Sequence, residues 1–173
     1  QVGQPIMSEV VVPVDFDYSQ AETVRKPVSE WVAQGVRPAN GLQYSPAAMQ
    51  LEAKLLVPAG HRGPKILTFR NFDSLKKYNN STSYVLGIAS LGKALAGETA
   101  IRTPWPEGDQ ALSFEQKQQL QRALTAQGFD TKGVDGMIGP ATRAAIRSWQ
   151  ASRGLPADGY VEQRLFQQIV SQG

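Results

Sequence analysis

The residues of this sequence best placed to bind a charged ligand are Thr142 and Arg143. They follow Asp135-Gly136, a dipeptide typical of tight turns, and Gly139-Pro140, a pair that favours the start of a helix. Thr142 and Arg143 therefore fall in the exposed first turn of a predicted helix. Because backbone N–H groups and the helix dipole favour negative charge there, we expect this turn to suit an anion such as a carboxylate. The two dipeptides themselves are explained more simply as turn-forming residues.

Metal-dependent and nucleophilic chemistry have little support. The chain contains no cysteine and one histidine, His61, which lies in a predicted turn between Pro58 and Pro64. A lone turn histidine is most often a surface residue, and no nucleophile-elbow pattern accompanies it. A zinc amidase or peptidase needs more ligands than one histidine supplies. Residues 130–136 have the wrong oxygen spacing for a calcium loop, so we predict no metal and no cofactor.

The composition is that of a folded protein with one ordinary domain or two small ones. Hydrophobic residues make up 41% of the 173, and the net charge is +3. The longest basic runs are the pairs Arg25-Lys26 and Lys76-Lys77, which argues against a nucleic-acid partner. No apolar run approaches the ~20 residues of a membrane span. Because Gln1 to Pro5 look like a loop without an initiator Met or signal peptide, we expect a fragment or processed form of a longer protein.

The residues from Ser113 onward predict three short helices. Ser113 and Gln116 form a capping-box pattern at the start of the first helix, and Gly128 ends it. The second helix begins at Gly139-Pro140, and the third follows the Asp158-Gly159 turn. Apolar residues recur at helical spacing in all three. We expect them to enclose one small core, anchored by Phe129, Ile146, Trp149, Leu155 and Leu165.

The earlier part of the chain predicts a small antiparallel sheet with short helices. The segments that favour strands are 9–16, 50–57 and 65–70. A short helix at 26–35 is expected to bury Trp31 in the core. Two helices follow, over 71–78 and from Ser81 or Thr82 to Gly97. The second is predicted to bury one face, made of Val85, Ile88, Ala89, Gly92 and Leu95.

The small residues of this last helix permit close packing against another helix, yet the first half of the chain offers no long partner. Residues 103–110 are rich in proline and polar side chains, so we place a domain boundary there. The predicted organisation is 1–102 as one region, with a sheet portion at 5–70 and closing helices at 71–97, then a linker at 103–112 and a second domain at 113–173.

The three-helix segment resembles the peptidoglycan-binding domain 1 family. The resemblance lies in Asp135-Gly136-x-x-Gly139-Pro140-x-Thr142, in Ala145-Ile146-x-x-Trp149-Gln150, and in Gly154-Leu155-x-x-Asp158-Gly159. It implies a module that docks on cell-wall peptidoglycan. The residues expected to contact this ligand are Asp135, Gly136, Thr142 and Arg143, with a stem-peptide carboxylate as the anion that the helix start would hold.

The first half is similar to the end of the catalytic region in the lytic murein transglycosylase B family. The matching residues are Asn71-Phe72, Tyr78-Asn79-Asn80-Ser81-x-x-Tyr84, Val10-x-x-Pro13 with Phe16-Asp17, and Trp31 before Gly35-Val36-Arg37. The resemblance implies a periplasmic enzyme that cleaves the β-1,4 bond between N-acetylmuramic acid (MurNAc) and N-acetylglucosamine (GlcNAc), leaving a 1,6-anhydro sugar. It also implies that Tyr78, Asn79 and Tyr84 line a glycan groove.

The same resemblance places the catalytic glutamate upstream of the matched segment, and therefore outside this chain. We assign no catalytic residue among Glu9, Glu30, Glu52 and Glu98, since each occupies a position typical of a solvated surface or turn. We therefore expect this chain to have no catalytic activity alone. An N-terminal fragment of the same protein is its expected partner, beside peptidoglycan strands and stem peptides.

The predicted fold class is α+β: a partial lysozyme-like transglycosylase domain with a small antiparallel sheet, followed by a three-helix peptidoglycan-binding domain. The leading function is peptidoglycan binding, with non-hydrolytic cleavage in the complete protein. The alternative is a non-catalytic cell-wall-binding or targeting module, which the missing acid favours. The expected location is periplasmic, with outer-membrane association of the full protein left open.

Overall fold

The computed structural model describes residues 4–172, which divide into two compact units. The first unit contains the chain up to Phe16, Gln20–Pro58 and Gly63–Trp105, and the second contains Asp17–Ser19, Ala59–Arg62 and the chain from Pro106 onward. Two short segments from early in the sequence therefore belong to the second unit. The linker predicted at 103–112 stays a prediction.

A five-stranded antiparallel sheet is the centre of the first unit. Its strands are β1 (Met7–Val11), β2 (Arg25–Pro27), β3 (Arg37–Pro38), β4 (Glu52–Leu56) and β5 (Lys65–Thr68), in the spatial order β2-β4-β5-β1-β3. In β4, Ala53 and Leu55 are buried while their neighbours are not, as expected for a strand with one face on the core. The predicted antiparallel sheet is confirmed, although β2 and β3 are too short to give a sequence signal.

Four helices complete the first unit: α1 (Val28–Ala33), α2 (Pro46–Met49), α3 (Arg70–Tyr78) and α4 (Thr82–Leu95). Ser81 caps α4, because its side chain accepts a hydrogen bond from the Tyr84 amide at 3.2 Å. A cluster of buried side chains joins β1 and β5 to α3 and α4, and its members are Met7, Ile66, Phe72, Val85, Leu86 and Ala89.

Trp31 of α1 lies fully inside the first unit, as predicted. Its exposed fraction is 0%, and its indole Nε1 donates to the carbonyl of Ala53 at 3.0 Å. The ammonium of Lys26 lies 4.0 Å from the centre of the indole ring. Trp31 is thus a core residue whose one polar atom is satisfied.

The second unit contains the three predicted helices, α5 (Phe114–Ala126), α6 (Pro140–Ser152) and α7 (Gln163–Val170). The capping box of Ser113 and Gln116 is present in both directions, with distances of 3.2 and 2.8 Å. Gly139 occupies the N-cap of α6, with Pro140 as its first helical residue. The buried core includes Leu120, Leu124, Ala145, Ile146, Trp149, Leu165, Phe166 and Ile169.

Three sequence predictions of the fold are wrong in detail. The first strand ends at Val11 and not at Phe16, because the Phe16 amide turns back to the carbonyl of Pro13 at 3.2 Å. Leu155 does not anchor the core; it is 39% exposed in the turn after α6. The buried face of α4 is rotated about the helix axis relative to the predicted face. Leu86, which was not predicted to be buried, is buried, whereas Leu95, which was, is 82% exposed. Because α4 is apolar on most sides, its pattern could not select the buried face.

Within residues 4–172, none of the helices is long and apolar enough to span a membrane.

Candidate functional site

The Asp135-Gly136 turn is held by a glutamine from α5. Gln121 is 1% exposed, and its Nε2 donates to Asp135 Oδ1 at 2.8 Å while its Oε1 accepts from the Gly136 amide at 2.8 Å. The same Asp135 oxygen accepts from the Met137 amide at 2.8 Å. These bonds lower the pKa of Asp135 from its ordinary 3.8, the bond from Gln121 being the largest cause. One buried side chain thus fixes both residues of the turn.

The Asp158-Gly159 turn repeats this arrangement with a glutamine from α6. Gln150 is 4% exposed; its Nε2 donates to Asp158 Oδ1 at 2.8 Å and its Oε1 accepts from the Gly159 amide at 2.8 Å. The Tyr160 amide donates to the same Asp158 oxygen at 2.9 Å. The two Asp-Gly turns of the second unit therefore share one hydrogen-bond pattern, in which a buried glutamine binds both residues of the turn.

Gly136 could not be replaced without strain. Its φ is +72°, and a Cβ placed on it would run into the ring of Phe114. The contacts support the explanation of Asp135 and Gly136 as turn-forming residues, since both are hydrogen-bonded to Gln121. Their role as ligand contacts stays a prediction.

Thr142 and Arg143 occupy different surroundings although they are neighbours in the first turns of α6. Thr142 is 2% exposed; its hydroxyl accepts from Gln121 Nε2 at 3.2 Å and donates to the Met137 carbonyl at 3.3 Å. Arg143 is half-buried and lines a cavity of about 300 Å³. The prediction of an exposed Thr142 is therefore wrong, because its hydroxyl is engaged within the fold. Their roles in ligand binding stay predictions.

The cavity beside Arg143 receives side chains from α5, from α6 and from the segments before each of α5, α6 and α7. Lys117 of α5 is the second cation on its wall. The remaining lining residues are Asp109, Gln110, Ala111, Leu112, Ile138, Tyr160 and Val161. The cavity thus combines two cationic side chains with one carboxylate and several apolar residues, a combination that the sequence spacing did not reveal.

A second cavity of the second unit, of about 260 Å³, lies at Asp158 and His61. Asp158 is 2% exposed, and its Oδ2 accepts from the backbone amide of His61 and contacts the His61 Nδ1, both at 2.7 Å. Burial, with the charge of Asp158 as a smaller cause, raises the pKa of Tyr18 to about 12. His61 lies at the surface, as the sequence predicts, and its half-exposed ring also contacts a buried carboxylate.

The charges around this second cavity largely offset one another. The cationic groups on its wall are Arg62 and Arg164, and the carboxylates are Asp158 and Glu162. Arg62 also donates to both oxygens of Asp109, at 2.7 and 2.9 Å, and this bond raises the pKa of Arg62. The pKa of Tyr160 is raised by burial first and by Asp109 second.

The residues predicted to line a glycan groove lie at the junction of α3 and α4 in the first unit. Tyr78, the last residue of α3, is 91% exposed, and Tyr84 in the first turns of α4 is 51% exposed. Asn79 is exposed, and its Oδ1 accepts from the Ser81 amide at 3.0 Å. Two phenol rings thus present wide faces to solvent, which suits stacking on sugars, but their role stays a prediction.

One of the four glutamates differs from expectation. Glu9 is 8% exposed, and its two carboxylate oxygens accept from the backbone amides of Arg102 and Thr103 at 2.6 and 2.8 Å. The prediction of a solvated Glu9 is therefore wrong, because the chain segment after α4 returns to cover β1. Glu52 and Glu98 are exposed partners of Arg70 and Lys93, and Glu30 is exposed.

Within the described residues, 4–172, no three His, Asp or Glu side chains lie close enough together to hold a metal ion.

Comparison with known sequences identifies the class of protein. The profile of the family described as "Transglycosylase SLT domain" matches residues 1–93, more than half of the 173. The profile described as "Putative peptidoglycan binding domain" matches residues 115–169. The chain belongs to the transglycosylase SLT domain family and has the mixed helix and strand architecture of the lysozyme-like fold. A comparison with curated proteins finds no match.

Solved structures add a particular relative, SltB3 from Pseudomonas aeruginosa. Two of its crystal structures, with NAG-anhNAM-pentapeptide and with NAG-NAM-pentapeptide, each match with 45% sequence identity and a TM-score of 0.92. Each match covers 96% of this chain and 45% of the SltB3 chain. The chain thus spans less than half the length of the relative that it matches.

Proposed function

We propose that this chain is the peptidoglycan-binding part of a lytic transglycosylase. In the complete protein, the enzyme cleaves the β-1,4 bond between MurNAc and GlcNAc and leaves a 1,6-anhydroMurNAc end. The observation that carries the proposal is the 45% identity to SltB3 over 96% of this chain, because SltB3 was solved with an anhydro-muropeptide. An anhydro sugar is the product expected when the sugar's own hydroxyl replaces water as the nucleophile.

The reaction requires one carboxylic acid that first protonates the leaving oxygen and then acts as a base on the sugar hydroxyl. The two most buried carboxylates of the described chain are occupied in another way. Glu9 and Asp158 accept hydrogen bonds from backbone amides, so their carboxylate oxygens are engaged within the fold. We propose that neither is the catalytic acid and that the catalytic glutamate lies on polypeptide outside this chain, which alone binds peptidoglycan without cleaving it.

The exposed side of α4 supports a partner for the first unit. Tyr84, Ile88, Leu91 and Leu95 recur at helical spacing along it and are exposed by 51, 37, 61 and 82%. A contiguous apolar stripe of this length on one helix is typical of a surface that another element covers. The proposed cover is the remaining part of the catalytic domain of the same protein, an N-terminal fragment relative to this chain.

The glycan contacts of the proposed function come from the first unit and the peptide contacts from the second. Tyr78 and Tyr84 offer exposed aromatic faces, and Asn79 offers an amide that donates and accepts. Arg143 supplies a cation at a cavity wall. Because the substrate is the cell wall, the proposed location of the complete enzyme is the periplasm of a Gram-negative bacterium.

The test is a digestion of purified peptidoglycan sacculi by the complete protein, with the released muropeptides identified by mass. We expect fragments that end in 1,6-anhydroMurNAc. Products that carry a reducing MurNAc end would indicate hydrolysis and contradict the proposed chemistry. Binding of sacculi with no release of any fragment would support the alternative, a cell-wall-targeting module without catalytic activity.

A further inference from the structure

The pair Asn40-Gly41 is the one place in the sequence where a glycine follows an asparagine. The two residues lie in the turn that follows β3, and both are exposed. Gly41 has a φ of +76°, and a Cβ placed on it would meet no atom within 4 Å outside the adjacent residues. The backbone nitrogen of Gly41 is therefore free of steric hindrance on the side where a side chain would stand.

The side-chain amide of Asn40 is polarised by its own turn. Its Oδ1 accepts a hydrogen bond from the Leu42 amide at 3.1 Å. A donor thus already faces the oxygen on which negative charge develops when a nucleophile attacks the Cγ of Asn40. Within residues 4–172, no acceptor holds the Nδ2 of this side chain, which is the nitrogen that such an attack expels.

The amide of Gly41, the neighbouring nucleophile, is held by one hydrogen bond at the surface. It donates to the carbonyl of Pro38 at 3.2 Å, across the turn. A single exposed bond of this kind opens locally without unfolding of the sheet. The fold therefore offers little resistance to the attack of this nitrogen on Asn40.

The two Asp-Gly turns of the second unit are protected by comparison. Aspartate before glycine undergoes the same ring closure, but Gly136 and Gly159 are buried. Their amides are held at 2.8 Å by the buried side chains of Gln121 and Gln150. The Gly41 amide has a carbonyl at the surface as its partner instead, so we expect the chemistry at Asn40 and not at these two turns.

We propose that Asn40 is a modification site at which the folded chain deamidates without an enzyme. The Gly41 nitrogen forms a bond to the Cγ of Asn40, the Cγ–Nδ2 bond breaks, and the Gly41 amide proton leaves with Nδ2 as ammonia. Water, the co-reactant, then opens the resulting succinimide ring at either carbonyl and gives aspartate or isoaspartate. No electron is transferred, and the proposal does not depend on the proposed function.

The two products should differ in their effect on the sheet. Aspartate keeps the acceptor for the Leu42 amide and adds a negative charge at an exposed position. Isoaspartate lengthens the main chain by a methylene group directly after β3, which has two residues. The adjacent Ala39 amide donates to the Glu9 carbonyl at 3.0 Å. Isoaspartate should therefore loosen the pairing of β3 with β1, whereas aspartate should preserve it.

The test is to incubate the 173-residue chain at neutral and mildly alkaline pH and to map its tryptic peptides by mass and chromatography. Peptide 26–54 contains no other asparagine. We expect it to gain the mass that replacement of NH by O produces, and to separate into an aspartate and an isoaspartate form. The rate should increase with pH, because the attack requires loss of the Gly41 amide proton.

A synthetic 26–54 peptide is the unstructured reference for this rate. We expect the folded chain to react no more than about tenfold more slowly than the peptide, because one exposed hydrogen bond must open. Asn40→Gln should abolish the reaction at this position, since a longer side chain closes a less favourable ring. Asn80→Gln, at an exposed Asn-Ser pair, should leave the rate at Asn40 unchanged. Hydrogen exchange at the Ala39 amide then compares the separated products.

Three results would overturn the proposal. The first is a folded chain that reacts more than about tenfold more slowly than the peptide, because the fold would then protect Asn40. The second is aspartate without isoaspartate, since direct hydrolysis by water gives aspartate alone. The third is isoaspartate at Asp135 or Asp158 as fast as at Asn40, because the buried glutamines would then give no protection. None of these results bears on the binding of sacculi.

Discussion

Gln121 and Asp135 meet through a 2.8 Å hydrogen bond from Nε2 to Oδ1. The same glutamine accepts from the amide of Gly136, so a residue in the middle of α5 determines the shape of the turn that precedes α6. Gln150 and Asp158 repeat the relationship at the turn that precedes α7. The Asp-Gly turns of the second unit thus orient the starts of α6 and α7 through hydrogen bonds to buried glutamine side chains.

Replacement of Gln121 by leucine should destabilise the second unit. The change leaves the buried amide of Gly136 without its acceptor and removes a donor from Asp135, so we expect a loss of about 2–3 kcal/mol in the free energy of unfolding. Urea unfolding combined with hydrogen exchange at the Gly136 amide measures it. The matched control is Gln119→Leu on the exposed side of α5, expected to change stability by less than about 0.5 kcal/mol. Equal effects of the two substitutions would contradict this role of Gln121.

Gln121 should also determine how Asp135 responds to pH. The folded pKa of Asp135 lies below 3.8, chiefly because of Gln121. A lowered folded pKa contributes stability that is present above the unfolded value and lost as the pH falls through the folded value. Gln121→Leu should therefore raise the pKa of Asp135 toward 3.8, as measured by NMR titration of its carboxyl carbon.

The internal control for this titration is Asp130. Its pKa is lowered chiefly by a hydrogen bond from Lys132, which the Gln121 substitution does not touch. The pKa of Asp130 should therefore be the same in both proteins. An unchanged pKa of Asp135 in the variant would show that Gln121 is not the main cause of its shift.

Glu9→Gln should weaken the attachment of the segment after α4 to β1. A glutamine offers one acceptor oxygen, and its NH₂ group would face a backbone amide that also donates, so we expect a loss of about 1–3 kcal/mol. Hydrogen exchange at the Arg102 and Thr103 amides reports the local effect. Glu107→Gln, at an exposed loop position, is the comparison and should leave that exchange unchanged. Preserved protection at both amides in Glu9→Gln would contradict the structural role of Glu9.

Tyr78→Ala should lower affinity for glycan strands without affecting the fold. The ring is 91% exposed, so its removal should change stability by less than about 0.5 kcal/mol. Loss of one sugar-stacking face should weaken binding to sacculi about three- to tenfold. Val14→Ala, at a fully exposed position of the same unit, should leave the affinity unchanged. Wild-type affinity in Tyr78→Ala would remove Tyr78 from the glycan contacts.

Local signals in the sequence predicted much of the second unit. The capping box at Ser113, the start of α6 at Gly139-Pro140 and the buried face ending at Trp149 depend on residues within a few positions of one another. Such signals act through helix geometry alone. They therefore predicted helix bounds well and said little about which surface faces a ligand.

The features that sequence reasoning missed depend on distant residues. Glu9 accepts hydrogen bonds from the amides of Arg102 and Thr103, which lie 93 and 94 residues later in the chain. His61 contacts the carboxylate of Asp158, 97 residues later. The strand β3 has two residues and exists only through its pairing with β1. Lys117 and Arg143 share a cavity because α5 and α6 pack together. No local periodicity encodes these relationships.

The most direct test of the central claim is to incubate the 173-residue chain with purified sacculi and to measure two quantities in the same sample. The first is the fraction of protein that sediments with the sacculi, and the second is the amount of muropeptide released into the supernatant. We expect the chain to sediment and to release no fragments. Protein that stays in the supernatant, or the appearance of 1,6-anhydro muropeptides, would contradict it.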